Sequence, residues 1–207
     1  MKHKFYIDTH KALTGPAILA LIAAYGEWEN PIAWIYLGMH GTYGVAWLLK
    51  SRCFPDTSWE REVSLGYGLF TWFLLTLYLI APWLIVSGNA GDPEPWFVGL
   101  CVALYSIGMF LHYASDMQKH VSLELQPGML ITEGLWGIVR NPNYLGELCI
   151  YLGFGLLAFH WLPVAVTAVV VAAVWYPNMR RKDASLSRYP EFAEYKARTK
   201  LWIPYVW

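Results

Sequence analysis

Charged residues in this chain are confined to short segments between long apolar stretches, and that alternation decides the fold class. Six stretches, 12–27, 31–49, 65–88, 95–115, 144–160 and 161–178, are built mainly of apolar residues. A helix needs about 20 such residues to cross about 30 Å of hydrocarbon. In lipid the backbone must also satisfy its own hydrogen bonds, which leaves helices as the spanning element for runs of this length. The pattern therefore predicts an all-α integral membrane bundle of about six transmembrane helices. Composition agrees: 57% of the residues are apolar and 14% charged, where a soluble domain carries roughly 25% charge. The first stretch follows Lys2, Lys4 and Lys11, a start shared with signal peptides. No small-x-small cleavage pattern precedes Glu27, so it is read as a span. Only His160-Trp161-Leu162-Pro163 separates the last two stretches, which predicts a tight helical hairpin.

The placement of basic residues tests the count. Lys2, Lys4 and Lys11 precede the first span, and Lys50, Arg52 and Arg61 lie between the second and third. Lys119 and Arg140 lie between the fourth and fifth, and Arg180, Arg181, Lys182, Arg188, Lys196, Arg198 and Lys200 follow the sixth. All 15 basic residues fall on one side, while the opposite loops hold Glu27, Glu29, Asp92 and Glu94. Cytoplasmic loops carry the excess of Lys and Arg, so both termini are expected in the cytosol.

Other classes are excluded on the same page. Fifteen Lys and Arg balance fifteen Asp and Glu, which leaves no basic excess for a nucleic-acid backbone. Cys53, Cys101 and Cys149 are far apart with no CxxC pair, against a disulfide framework and against a zinc site; no metal site is expected. Gly38, Gly41 and Gly44 on the second span would let a neighbouring helix approach closely. Trp28, Trp34, Trp83, Trp96, Trp161 and Trp202 near span ends read as an interfacial belt.

Chemistry concentrates in Arg140-Asn141-Pro142-Asn143-Tyr144-Leu145-Gly146-Glu147. Asn141 suits an N-cap and Pro142 a first helical position. A helix beginning here offers unpaired N–H groups and a positive dipole end to an anion such as phosphate, with Arg140 just before it. Asn143, Glu147 and Tyr151, at i, i+4 and i+8, share one face. Glu147 falls about one turn inside an apolar run, where an ionisable group marks either a functional site or a buried pair, for instance with Arg140. Asp116 and Lys119 stand at i and i+3 where the fourth span ends. Downstream, Arg181, Lys182 and Asp183 are expected at the same membrane face, and Arg and Lys there suit a phosphorylated nucleotide. Tyr195 lies in the basic tail, whose charge also fits attraction to anionic lipid.

From Asp116 to Trp207 the sequence resembles the membrane steroid 5α-reductase and sterol reductase superfamily. The resemblance rests on R-x-P-N-Y-x-G-E, the upstream D-x-Q-K, the T-x-G-x-W approach to Arg140, and the closing Y-P…I-P-Y-x-W. A shorter R-x-P-x-Y-x-G also occurs in related membrane methyltransferases that modify isoprenylcysteine or phospholipid amines. The resemblance implies NADPH held by Asp116, Lys119, Arg140, Asn143, Tyr144, Glu147, Arg181, Lys182, Asp183 and Tyr195. It also implies one transmembrane domain over 1–207, with a cofactor-binding half at 116–207 and a cytosolic tail at 179–207. Asn141 replaces the usual His, and the Gln-Glu-Leu-Pro element of steroid 5α-reductases is absent from the second span.

The implied activity is reduction of a C=C bond in a lipophilic steroid, sterol or isoprenoid-like substrate entering from the bilayer. Such chemistry needs a hydride and an acid. Glu147, and His40 with Tyr43 on the second span, are the catalytic candidates; His112 and Tyr113 are further ones. The alternative is an S-adenosylmethionine-dependent methyltransferase of a lipid or prenylated acceptor using the same pocket. Either activity is expected in the endoplasmic reticulum or a bacterial inner membrane, with the pocket facing the cytoplasm.

Overall fold

A helix occupies each of the six apolar stretches in the computed structural model, which describes residues 1–205. Trp207, the last residue of the I-P-Y-x-W element, lies outside the described residues. Among the described residues the only extended pairings are two isolated bridges, Lys2 with Glu62 and Val139 with Lys200. The chain is all-α. Three helical runs are long and apolar enough to cross a membrane: Leu65–Val86, Pro95–Leu125 and Trp161–Leu186.

The chain divides into two compact units, residues 1–105 with 151–166, and residues 106–150 with 167–207. The first unit is built on α1 (His3–Tyr25) and α2 (Pro31–Cys53). Gly26, at φ +73°, ends α1 in the left-handed conformation that glycine adopts without strain. Asn30 begins α2 by accepting hydrogen bonds from the N–H groups of Ile32 and Ala33 at 3.0 and 3.2 Å, with Pro31 at the first helical position. Of the three glycines singled out on α2, Gly41 lies against Gly15 of α1 and Gly44 against the Lys11 carbonyl. A Cβ on Gly44 would stand 2.5 Å from that oxygen, so the two backbones touch there. Gly38 has nothing within 4 Å of such a Cβ. The run Leu65–Val86 then joins the unit as α3 (Leu65–Thr76), one 3₁₀ turn and α4 (Ile80–Val86).

Two boundaries differ from the sequence reading. Helix α1 begins at His3, so Lys11 lies within it and is 3% exposed. Its ammonium sits 4.1 Å over the Tyr43 ring and 3.2 Å from the Tyr151 hydroxyl. Aromatic faces and a phenol stand in for water around this cation, which is why the helix runs through it. Likewise α5 (Pro95–Leu125) continues past Asp116 and Lys119. The hairpin at 159–162 is as tight as expected: Phe159 adopts φ +43°, and His160 accepts from the Leu162 N–H at 3.1 Å to start α8 (Trp161–Val170).

In the second unit, α7 (Pro142–Gly155) follows the short α6 (Leu135–Ile138), and its first turns lie against α5. A Cβ on Gly108 would stand 2.7 Å from the Gly146 carbonyl oxygen, so these helices meet backbone to backbone. A π-helical turn, Val171–Trp175, links α8 to α9 (Tyr176–Leu186), and α10 (Phe192–Arg198) completes the tail.

Candidate active site

The start of α7 is held by the tail. Arg140 is 6% exposed and its Nε donates to both Asp183 carboxylate oxygens, at 3.1 and 3.2 Å. Its Nη1 donates to the carbonyls of Lys196 and Thr199. Lys182 donates to the Arg140 carbonyl at 3.1 Å and to Asn141 Oδ1 at 3.0 Å, and lies 4.1 Å over the Trp136 ring. Tyr195 donates to the Trp136 carbonyl at 2.6 Å. Burial pushes its phenol up to about 12, since the phenolate would lose water. Arg140, Lys182, Asp183 and Tyr195 are therefore brought together, as the sequence suggested, but as partners of one another. Arg140 does not pair with Glu147; its carboxylate partner is Asp183.

Asn141 occupies the N-cap position of α7, yet its amide does not cap. The side chain donates to the Leu201 carbonyl at 2.9 Å and accepts from Lys182, so it fastens the closing segment instead. Arg140 N–H to the Lys200 carbonyl, at 2.9 Å, makes the same seam in the backbone.

The other wall comes from α5. His112 donates through Nδ1 to the Asn143 carbonyl at 3.1 Å, and its Nε2 stands 3.9 Å from Asp116, one turn on. Gln118 donates to the Glu133 carbonyl and accepts from the Leu135 N–H, at 2.9 and 3.1 Å. A Cβ on Gly134, at φ +60°, would meet the Gln118 side chain. The Gln of D-x-Q-K thus holds the T-x-G-x-W turn. Lys119, Tyr144 and Glu147 are half-buried, and Tyr144 lies 5.6 Å from Trp175. Arg181 is exposed and donates to Asn178 at 2.7 Å.

Two polar atoms of this unit are buried without a hydrogen-bond partner: Asn143 Oδ1 and Trp202 Nε1. Buried polar groups are satisfied in all but a few cases, and an orphan points to a missing partner. One is an acceptor, the other a donor. Trp202 is 4% exposed and its ring lies 6.4 Å from Trp175, which also contacts Tyr144. Sequence reading assigned Trp202 to an interfacial belt; only its orphaned N–H reveals otherwise. The orphan at Asn143 fits an amide-bearing ligand, and half-buried Lys119 with exposed Arg181 fits its phosphates.

His40 and Tyr43 belong to the first unit and are both buried. Tyr36 has a single hydroxyl proton and gives it to the Tyr78 carbonyl at 3.1 Å. At 3.0 Å from His40 Nδ1 it must accept. A neutral His40 therefore carries its proton on Nδ1 and its lone pair on Nε2, and it stacks on Phe154 at 4.1 Å.

With this geometry in place, comparison with known proteins is decisive for the family. Residues 57–199 match the family described as "Protein of unknown function (DUF1295)". The chain belongs to that family. Steroid 5-alpha-reductase DET2 of Solanum lycopersicum is 26% identical over 148 residues, covering 67% of this chain and 56% of that protein. Delta(14)-sterol reductase of Methylotuvimicrobium alcaliphilum is 26% identical over 158 residues, covering 65% and 36%. Cobalt-zinc-cadmium resistance protein CzcN of Cupriavidus metallidurans is 36% identical over 135 residues, covering 64% and 62%. These matches place the DUF1295 chain in the steroid and sterol reductase superfamily, as the R-x-P-N-Y-x-G-E element implied. It spans between about a third and three fifths of the length of these relatives. Apolar helices and relatives together make it a membrane protein of the reductase type.

Proposed function

We propose that this DUF1295 protein is an NADPH-dependent reductase of a C=C bond in a lipophilic substrate that enters from the bilayer. The observation that carries the reading is the orphaned Asn143 Oδ1 at the start of α7, with the orphaned Trp202 N–H in the same unit. A carboxamide is both donor and acceptor, which is the complement these two groups ask for. The names of the reductase relatives support the same reading.

When bound, a nicotinamide supplies the hydride. The chain's own residues do the rest. Asn143 orients the amide, Glu147 on the same face of α7 holds the adjoining polar part, and Lys119, Arg181 and Lys182 meet phosphate. Tyr144 shields the reacting face from water. Arg140, Asp183 and Tyr195 hold the start of α7 in register through the seam described above, and Asp116 does so through His112. Reduction also consumes a proton, and Tyr43 is the better donor of the α2 pair. His40 in its neutral form presents a lone pair at Nε2 rather than a proton.

Six crossings with both termini in the cytosol follow from the one-sided placement of the 15 basic residues. The cofactor side of the site then faces the cytoplasm.

Thermal unfolding of the detergent-purified chain tests the reading, with NADPH, NADH and S-adenosylmethionine titrated side by side. A ligand that binds only the folded state raises the unfolding temperature by mass action. Stabilisation by NADPH is expected, and its loss in Asn143→Leu. Stabilisation by S-adenosylmethionine alone would overturn the reductase assignment in favour of methyl transfer.

A further inference from the structure

At the polar end of the first unit, the first turns of α1, the last turn of α2 and the loop 54–62 enclose a small open pocket. Its lining includes Lys4, Lys50, Asp8, Asp56, Trp47 and Trp59. None of these takes part in the proposed reduction, and all lie in the first unit.

The charges are built in rather than scattered over a surface. Lys50 is 5% exposed, and its ammonium lies 4.8 Å from the centre of the Trp47 ring. Asp8 accepts from Trp47 Nε1 at 3.1 Å and from the Ser51 hydroxyl at 2.7 Å, which fixes the carboxylate beside the indole. Asp56 caps the 3₁₀ turn Thr57–Trp59 through the Ser58 N–H at 2.9 Å. Lys4 donates to the Ser51 carbonyl at 2.9 Å and to Glu60 at 3.1 Å, so it is held at the rim. Two ammonium groups, two carboxylates and two indoles thus come from three separate segments of chain. A ligand of one charge sign would satisfy one pair and repel the other. A zwitterion satisfies both.

Location narrows the chemistry further. The loop that forms one wall runs directly into Leu65–Val86, one of the runs able to cross a membrane. The pocket therefore sits where the apolar layer meets water, the depth of lipid headgroups and of interfacial indoles. Lys2, Arg52 and Arg61 surround it in sequence, and basic clusters beside a span draw phosphate-bearing lipid.

We propose that this pocket binds the headgroup of a zwitterionic glycerophospholipid bearing a primary ammonium. Lys4 and Lys50 take the phosphodiester. Asp8 and Asp56 take the ammonium by N–H hydrogen bonds, which a trimethylated ammonium lacks. Trp47 and Trp59 flank the short chain between the two charges.

The test is native mass spectrometry of the delipidated full chain in detergent. The probes are phosphatidylethanolamine, phosphatidylcholine and phosphatidylglycerol with identical acyl chains, and inorganic phosphate as competitor. Phosphatidylethanolamine should bind about tenfold more tightly than phosphatidylglycerol, the scale of one charge-assisted hydrogen bond. Lys4→Gln should weaken phosphatidylethanolamine by a similar factor. Asp56→Asn keeps the turn's cap and should erase the preference over phosphatidylglycerol. Equal binding of the lipids by the unaltered chain overturns the proposal, as does unchanged binding in Lys4→Gln. Displacement of lipid by inorganic phosphate at equal concentration would assign the pocket to free phosphate and overturn it too. NADPH binding plays no part in these readouts, so they stand apart from the reductase reading.

Discussion

Arg140 is the residue on which the second unit turns, and its role is mechanical before it is chemical. Its guanidinium joins Asp183 of α9 to the carbonyls of Lys196 and Thr199. Removing one partner of a buried pair leaves an uncompensated charge, at a cost of about 3–5 kcal/mol. Arg140→Lys keeps the charge but loses the planar fork, so we expect a clear fall in the unfolding temperature of the purified chain. An unchanged midpoint would show that the seam does not hold the unit. Tyr195 tests the same seam by pH. Its folded phenol is raised to about 12 from the usual 10. The folded state thus binds this proton more tightly than the unfolded chain, so the associated stability is fully present below pH 10 and is lost as pH rises towards 12. The unfolding temperature should fall across that window, and Tyr195→Phe should fall less over the same range. Parallel curves for the two proteins would assign the fall to other groups.

At the scale of elements, the contact between α5 and α7 is set by two glycines. A Cβ on Gly108 would meet the Gly146 carbonyl oxygen and the Ile150 nitrogen, both at 2.7 Å. Neither atom is the end of a flexible side chain, so Gly108→Ala must part the helices. Destabilisation of about 1–3 kcal/mol is expected, together with weaker NADPH binding, because Asn143 is one turn from Gly146. An alanine variant that unfolds and binds like the parent would mean the helices part without cost. The helices themselves were legible in the sequence, because apolar length and Pro-Asn caps act locally. The start of α7 at Pro142 was legible for the same reason. What Asn141 does there was not. Its amide is claimed by Leu201 and Lys182, some forty to sixty residues away, and no local rule reports such a partner. Lys11 escaped in the same way. A cation inside an apolar helix is expensive unless aromatic rings meet it, and Tyr43 and Tyr151 come from other helices. The reductase motifs were legible because their spacing is local, while the pairing of Arg140 with Asp183 depends on tertiary return of the tail.

For the whole molecule, the span count turns on helices that length and composition alone leave short. Three runs are long and apolar enough to cross, and all three follow Cys53 in the chain. If these alone crossed, Cys53 and the tail would face opposite sides of the membrane, since three crossings separate them. Six spans add α7, which makes four crossings and puts Cys53 and the tail on one side. The distribution of basic residues demands the second arrangement, with Arg52 beside Cys53 and seven Lys and Arg in the tail. Cys53 and Ser187 are both exposed. In a background with Cys101 and Cys149 changed to Ala, Cys53 should react with a membrane-impermeant maleimide in inside-out vesicles and not in right-side-out ones. The same should hold for Ser187→Cys in a chain that also carries Cys53→Ala. Labelling of the two positions from opposite sides would remove α7 as a crossing helix, and with it the reading that Glu147 enters the bilayer.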